Sequence, residues 1–262
     1  MTTSTSPVPV EGLAGLRRYN LIAGLFHLVQ GIAILVLAND FALPVSISYL
    51  TDAPTPGAGF EDVHVLDVRM GVGVALFSLL SAAAHFWIVG PGFGRYAAGL
   101  ARTQNIARWV EYAISSTLMI VLIAMVNAVW NAVALLGLIG CNVSMILFGW
   151  LQEKYEKPGG GMLPFWFGCI AGAVPWIAMF WLLISPGSSN EPPGFVYGIV
   201  ISLFLFFNSF AVVQWLQYRQ VGRWSDYLVG ERTYITLSFV AKSALAWQIF
   251  AGVLATSAAP VG

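Results

Sequence analysis

Lys242 lies in the middle of the apolar run FVAKSALAWQIF, which extends from Phe239 to Phe250. An unpaired lysine at the centre of a membrane helix costs about 2.5–3.5 kcal/mol on insertion scales. Its ammonium group must therefore reach the interface, be neutralised by a partner, or have reacted with another molecule. Ionisable residues inside membranes are generally functional, and a desolvated lysine is the usual amine for a Schiff base.

Glu111, in the stretch QNIARWVEYAISSTLMI, is the carboxylate that the sequence offers as a partner. We expect it to be the only carboxylate within an apolar span, with Arg108 one turn earlier near the mouth of the protein. Glu111 is predicted to lie at a shallower depth in the membrane than Lys242. The long stem of Lys242 bridges this difference if the third and seventh helices face each other. A buried ion pair with only a structural role is the alternative, but ionisable residues inside a membrane are functional by default, which argues against it. If Lys242 instead carries a protonated Schiff base, Glu111 is its counterion.

The residues around this pair suit a long apolar ligand. Taken singly, each aromatic residue is more typical of helix packing than of a ligand wall, but their concentration in the fifth to seventh spans favours a pocket. The candidate pocket residues are Tyr112, Ser116, Met119, Asn142, Met145, Trp166, Pro175, Phe207, Phe210, Gln214 and Trp247.

The composition is that of an integral membrane protein. Of the 262 residues, 58% are apolar and only 9% are charged, against about 25% charged residues in soluble domains. The formal net charge is zero, so nothing indicates binding to nucleic acid. The two cysteines lie in apolar segments, which predicts neither a structural disulfide nor a metal site.

Seven apolar windows are long enough to cross a bilayer. They predict a single all-α membrane domain over residues 1–262, with a disordered cytoplasmic tail at 1–13 and an external loop at 39–65. The alternating stretch Val45 to Tyr49 predicts a small β-hairpin in that loop. The spans are 14–38, 66–89, 103–128, 130–152, 163–185, 194–218 and 228–255.

Basic residues are unevenly distributed between the two sides of the predicted bundle. With seven spans the two termini lie on opposite sides of the membrane. The side of the C-terminus carries only Arg69 among the basic residues of the loops. Basic loops remain in the cytoplasm, so the N-terminus is predicted to be cytoplasmic and the C-terminus extracellular. The side of the N-terminus carries Arg17, Arg18, Arg95, Arg102, Arg108, Lys154, Lys157, Arg219, Arg223 and Arg232.

Seven helices with a lysine in the last and a carboxylate in the third resemble the microbial rhodopsins. The segments LANDFALP, QNIARWVEY, SMILFGWLQEKY, LPFWFGCIAG, PGFVYGI, SLFLFFNSFA and AKSALAWQIF are more specific, and they resemble the heliorhodopsin family from about Asn20 to Phe250. This resemblance implies a bundle of microbial rhodopsin type, all-trans retinal bound covalently to Lys242, a homodimer and an inverted topology. The loop charges indicate the same topology independently.

The resemblance also implies roles for individual residues. Glu111 matches the family's counterion, and Ser238 matches a serine near the Schiff base. His27, Ser81 and His85 match a polar cluster on the cytoplasmic side of the chromophore. Tyr112, Asn142, Met145, Trp166, Pro175, Phe207, Gln214 and Trp247 fall at the family's retinal-contact positions.

Two positions argue against ion pumping. Outward proton pumps that resemble bacteriorhodopsin have a second carboxylate where this chain has Leu122, and an aspartate where it has Ser238. The hypothesis is that the Schiff-base proton moves into the cluster of Glu111, His27 and His85 after light absorption and then returns, without net transport.

Three functions therefore stay open, and none of them is an enzymatic activity. The first is a light sensor that acts on an unidentified cytoplasmic signalling partner. The second is a light-driven or light-gated proton carrier. The third is a retinal-binding membrane protein without a signalling role. The missing second carboxylate favours the sensor over the carrier.

Overall fold

The computed structural model describes residues 10–185 and 187–254. Within those residues, seven helices are long and apolar enough to cross a membrane, which confirms the predicted all-α bundle and makes this a multi-pass membrane protein. The seven are α1 (Val10–Leu37), α2 (Met70–Val89), α4 (Ile106–Val126), α5 (Ala132–Tyr155), α6 (Leu163–Ile184), α7 (Gly194–Tyr218) and α8 (Tyr227–Ile249).

The first helix begins earlier than the sequence indicated. Residues 10–13 were predicted to belong to a disordered tail, but they form the first turn of α1. Packing explains the extension, because Leu16 is fully buried in a cluster that includes Leu13 and Ile235. The remaining predicted tail, residues 1–9, lies outside the described residues.

A β-hairpin follows α1, as predicted. It pairs β1 (Ala42–Leu50) with β2 (Phe60–Arg69) in antiparallel register, with Ala42 opposite Arg69 and an irregularity after Val45. The Ser46 backbone N–H donates to the Trp130 carbonyl oxygen at 3.0 Å. The hairpin therefore lies against the turn between α4 and α5, and we call this end of the bundle the hairpin end.

Three short elements were not predicted. They are α3 (Phe93–Leu100), a 3₁₀ helix at Gly222–Ser225 and a π-helical turn at Phe250–Leu254. The glycines and proline at residues 90–92 indicated only a loop, but the chain resumes a helix directly after them. In α3, Tyr96 and Leu100 are buried against α1 and α8, so packing stabilises a helix of only eight residues.

Apolar side chains fill the half of the bundle near the hairpin end. Leu122, Met125, Ala246 and Ile249 are fully buried in one large cluster. A Cβ atom at Gly73 would lie 2.8 Å from a Leu122 methyl carbon, so the glycine permits close approach of α2 and α4. This half of the protein is therefore tightly packed and apolar, and the polar site lies on its other side.

Candidate functional site

Lys242 and Glu111 form a buried ion pair between α8 and α4. The Lys242 Nζ atom lies 2.7 Å from Glu111 Oε1, and the two side chains are 4% and 11% exposed. Nζ also donates to Ser238 Oγ at 2.8 Å. Ser238 is four residues before Lys242, so the two side chains lie on the same face of α8. The lysine is therefore neutralised where it lies and does not reach the interface.

The counterion has a further partner in α2. Ser81 Oγ donates to the same Glu111 oxygen, Oε1, at 2.6 Å. Two hydrogen-bond donors therefore meet at one carboxylate oxygen, which compensates part of the cost of burying the charge.

His27 and His85 lie together next to this pair. Their rings stack with centroids 5.6 Å apart. His85 Nδ1 lies 2.8 Å from Asn20 Oδ1, an oxygen that only accepts, so Nδ1 carries the proton. In a neutral His85, Nε2 is then the acceptor. Neither ring nitrogen of His27 has a hydrogen-bond partner among residues 10–185 and 187–254.

A large apolar cavity opens beside Lys242. Its volume is about 480 Å³, within the range of about 300–1,000 Å³ that is typical of small-molecule pockets. Gly149, Gly168 and Gly172 line it from α5 and α6, where the absence of side chains leaves room. Among the predicted site residues, the lining includes Tyr112, Ser116, Met119, Met145, Phe207, Phe210, Gln214, Ser238 and Lys242.

Two predicted pocket residues lie just behind the cavity wall. Asn142 is buried and donates from Nδ2 to Ser116 Oγ and Thr117 Oγ1, both at 2.9 Å. It therefore holds Ser116, which lines the cavity. Pro175 is buried inside α6, directly before Trp176, which does line it.

Two other predicted contacts, Trp166 and Trp247, lie outside the cavity. Their side chains face the outer surface and are 49% and 45% exposed. Helical rotation explains both positions. Trp166 is one residue beyond Phe165, which lines the cavity, and Trp247 is five residues beyond Lys242. At 3.6 residues per turn, five residues turn a side chain about 140° away from the starting face.

Several aromatic residues of the cavity wall were missed by sequence reasoning, among them Trp109, Phe165, Phe204 and Tyr234. Trp109 lies two residues before Glu111, and Tyr234 lies eight residues before Lys242. Helical spacing from the two charged residues was the signal that could have found Tyr234.

A second buried ionic cluster surrounds Arg108. Its guanidinium donates from Nη2 to Glu153 Oε1 and from Nη1 to Glu231 Oε2, both at 2.6 Å. The three residues are 6%, 5% and 1% exposed. The expectation that Glu111 is the only carboxylate inside an apolar span is therefore wrong. Arg108 is likewise buried instead of lying at the mouth, because two carboxylates from α5 and α8 enclose it.

Polar groups also lie on the hairpin side of the ion pair. Gln30 Nε2 donates to Ser78 Oγ at 3.3 Å, and Ser243 Oγ donates to Gln30 Oε1 at 2.7 Å. These three residues join α1, α2 and α8. None of them ionises in the physiological range, so they hold hydrogen bonds but no charge.

The comparisons with known proteins agree with this arrangement. The family model described as Heliorhodopsin matches residues 16–254. The chain belongs to the heliorhodopsin family. No curated protein matches it. Family membership and the site together support a retinal photoreceptor in place of a protein whose ion pair is purely structural.

A solved structure shows the same fold. Cyanorhodopsin from the cyanobacterium Tolypothrix sp. NIES-4075 is similar, with a TM-score of 0.65 and 14% sequence identity over 97% of this chain and 96% of that chain. At an identity this low, the similarity is evidence for the fold alone. It confirms a bundle of microbial rhodopsin type.

The cavity has the properties that retinal requires. Its walls are mostly aromatic and aliphatic, and among its lining residues Lys242 supplies the only amine. A long apolar aldehyde in this cavity would have its reactive end at Nζ and its chain among the aromatic rings of α6 and α7. The residues of this member of the heliorhodopsin family therefore fit the cofactor that the family implies.

Proposed function

We propose that this protein is a light-sensing photoreceptor with all-trans retinal bound to Lys242 as a Schiff base. In this proposal the proton at Nζ moves locally, without net ion transport. The observation that carries the proposal is a single amine at the end of an apolar cavity, 2.7 Å from a buried carboxylate.

The retinal, once bound, supplies light absorption and a change of shape. Glu111 stabilises the positive charge at Nζ, and Ser238 and Ser81 hold the two charged groups in place. The ring of Tyr112, centred 5.3 Å from Nζ, closes one side of the site. The apolar walls exclude water, which strengthens the interaction between the charges.

The proton is proposed to leave Nζ toward the side of His27, Ser81 and His85. Histidine is the side chain best suited to hold and return a proton near neutral pH. The Nε2 atom of His85 is left as an acceptor by the bond from Nδ1 to Asn20. The unpartnered nitrogens of the buried His27 offer further acceptor capacity among the described residues.

The second candidate is a light-driven or light-gated proton carrier. The bridge of Gln30, Ser78 and Ser243 favours it, because it places hydrogen-bonding groups on the hairpin side of Lys242. Beyond the bridge, however, fully buried residues such as Ile34, Val74 and Ile249 fill the bundle. A proton that leaves Nζ toward the hairpin end meets no ionisable side chain in this packed region, so the sensor is the better account.

Membrane orientation is proposed from the loop charges, with the N-terminus cytoplasmic and the C-terminus extracellular. A protease-cleavable tag at Gly262 is expected to be cut in intact cells, and one at Met1 to be protected. The reverse pattern would show that the basic loops do not orient the chain.

A homodimer and an unidentified cytoplasmic signalling partner complete the proposal, as the family resemblance and the sensor function imply. The mass of the purified protein in lipid discs would correspond to two chains, and a single-chain mass would reject the dimer. A retinal-binding protein without a signalling role is the alternative if no light-dependent partner is captured.

Substitution of Lys242 by alanine tests the cofactor directly. Lys242→Ala removes the only amine in the cavity wall, so the purified protein with added retinal is expected to show no visible absorption band. Lys154→Ala is the matched control, since Lys154 is exposed at the end of α5, and it should keep the band. A normal band in Lys242→Ala would place the chromophore elsewhere.

Substitution of Glu111 tests the counterion. Glu111→Gln leaves the positive charge at Nζ without its carboxylate in a low-dielectric site, so the visible band should disappear at a lower pH than in the wild type. Glu111→Asp should retain the band with a shifted maximum. If Glu111→Gln lost its colour at the wild-type pH, another group would be neutralising Nζ.

Transport is tested with lipid vesicles and voltage-clamped membranes. Illumination is expected to give no sustained pH change and no steady photocurrent, because the proton acceptors lie on one side of Nζ. A pH change under continuous light that a protonophore abolishes would favour a pump. A current that reverses with membrane voltage would favour a channel.

A further inference from the structure

The cluster of Arg108, Glu153 and Glu231 contains more negative than positive charge. Seven hydrogen-bond donors meet the four carboxylate oxygens of the two glutamates. So many donors favour two ionised carboxylates. With a single guanidinium between them, the cluster then has a net charge of −1 in a region almost free of solvent, and it can take up one proton.

A small cavity with polar groups in its wall lies between this cluster and the ion pair. Its volume is about 30 Å³, enough for about two water molecules if each needs about 10–15 Å³ of such space. Both ends of the cavity carry polar groups that can hold such water. Glu111, Ser238 and His85 line one end, and Asn105, Arg108 and Glu231 line the other.

We propose that Glu231 is the group that takes up the proton released from Nζ of Lys242, by way of water in this cavity. This inference rests on the local proton movement proposed above, and it makes Glu231, on the same side of Nζ as His27 and His85, the group that holds the proton in place of the histidines. The N–H bond at Nζ breaks, an O–H bond forms on a carboxylate oxygen of Glu231, and the reverse transfer follows in the dark. No electrons are transferred, and the cluster changes from −1 to neutral while Glu111 keeps its negative charge.

Like-charge repulsion favours Glu231 over Glu111 as the acceptor. Glu153 and Glu231 share one guanidinium, so protonating one of them removes the repulsion between two buried carboxylates. Protonating Glu111 relieves no such repulsion, since its neighbours are Lys242 and Ser81. Glu111 is also the more exposed carboxylate, at 11% of its side chain against 2% for Glu231, so it is better able to remain charged.

The partners of the two glutamates favour Glu231 over Glu153. Glu153 Oε2 receives the Asn105 backbone N–H and the Trp109 indole N–H, groups that can only donate. Glu153 also does not line the connecting cavity. Each glutamate also receives one tyrosine hydroxyl, Tyr227 on Glu153 Oε1 at 2.8 Å and Tyr96 on Glu231 Oε1 at 3.3 Å. A hydroxyl can reverse its role and accept a hydrogen bond from a protonated carboxyl, and the longer bond at Glu231 is the weaker one to give up.

Tyr96 itself is not a competing proton donor. It lies in α3, and burial, followed by the negative charge of Glu231, raises the pKa of its phenol far above the usual range. The other ionisable groups that line the cavity with Glu231 are Arg108, Glu111 and Tyr112 from α4, His85 from α2 and Tyr234 from α8. Glu153 from α5 and Tyr227 lie on the far side of Arg108. Besides the two glutamates already compared with Glu231, His85 is the rival acceptor for the proton from Nζ.

Infrared difference spectroscopy of the retinal-bound protein in membranes tests the proposal. Illumination is expected to produce the carbonyl stretch of a protonated carboxylic acid at the rate at which Nζ loses its proton in the visible spectrum. The band should be absent in Glu231→Gln. It should be displaced in Glu231→Asp, which keeps a carboxyl group and therefore still tests the proposal if Glu231→Gln does not fold. It should be unmoved in Glu111→Asp and in Glu191→Gln, an exposed control.

A second measurement needs no retinal. On acidification of the retinal-free protein, the same carbonyl band should appear in the wild type and be missing in Glu231→Gln. In Glu153→Gln it should require a lower pH, because that substitution removes the second negative charge. This measurement identifies Glu231 as the carboxyl of the cluster that takes up a proton, and the timing of the light-induced band then ties that proton to Nζ.

The other outcomes distinguish failure of this proposal from failure of the proposed function. A band that is displaced in Glu111→Asp and persists in Glu231→Gln makes Glu111 the acceptor. Loss of the proton from Nζ without any carboxylic acid band makes the histidines the acceptors, and the sensor function stands. If light never removes the proton from Nζ, local proton movement and the role of Glu231 both fail. A sustained pH change in vesicles refutes the sensor function and leaves the assignment of Glu231 intact.

Discussion

The ion pair between Lys242 and Glu111 is the constraint around which the polar half of this protein is built. A buried pair stabilises a fold only if further hydrogen bonds compensate the desolvation of both charges. Ser238 and Ser81 provide these bonds from α8 and α2. The pair forms only if α4, α8 and α2 are each rotated so that these side chains face one another. The packing of the rest of the bundle holds the three helices in that orientation.

The two halves of the bundle perform different physical tasks. Near the hairpin end, fully buried aliphatic residues pack around Leu122 and Ile249, and the hairpin covers the turn between α4 and α5. Toward the other end, buried charges and histidines are joined by hydrogen bonds and by a small cavity with polar groups in its wall. Among the described transmembrane helices, a proton that leaves Nζ therefore finds carboxylates and histidines in one direction only. The uncharged bridge through Gln30 shows that the boundary between the polar half and the apolar half lies about one helical turn beyond Lys242, on the hairpin side.

Much of this organisation could be predicted from the sequence because it depends on local patterns. Long apolar windows fix the seven spans, and alternation from Val45 to Tyr49 marks the hairpin. The pairing of Lys242 and Glu111 follows from their depth in two helices. The faces of individual residues were harder to predict, since one residue changes the direction of a side chain by about 100°. Trp166 and Trp247 accordingly lie on the outer surface.

The cluster of Arg108, Glu153 and Glu231 could not be predicted for a different reason. Each residue lies near the end of an apolar span, where charged side chains usually reach water. Only the folded structure shows that Asn105, Tyr96 and Tyr227 approach from three elements and exclude the solvent. Burial of such charges is a tertiary property, and neither composition nor periodicity indicates it.

The two ionic contacts connect the same pair of helices at two levels. Glu111 lies three residues after Arg108 in α4, a rise of about 4.5 Å, and Lys242 lies eleven residues after Glu231 in α8, a rise of about 16 Å. In a bundle of alternating spans, α4 and α8 run in the same direction, so the two intervals differ by about 12 Å. Side chains in a helix tilt toward its N-terminus, and the long stems of Lys242 and Arg108 therefore both extend in the direction that reduces this difference.

A shorter cation at either position would lose its partner, which explains why the site uses the two longest basic side chains. The proposed retinal site at Lys242 and the proposed proton acceptor Glu231 are thus linked by two ionic contacts between the same two helices.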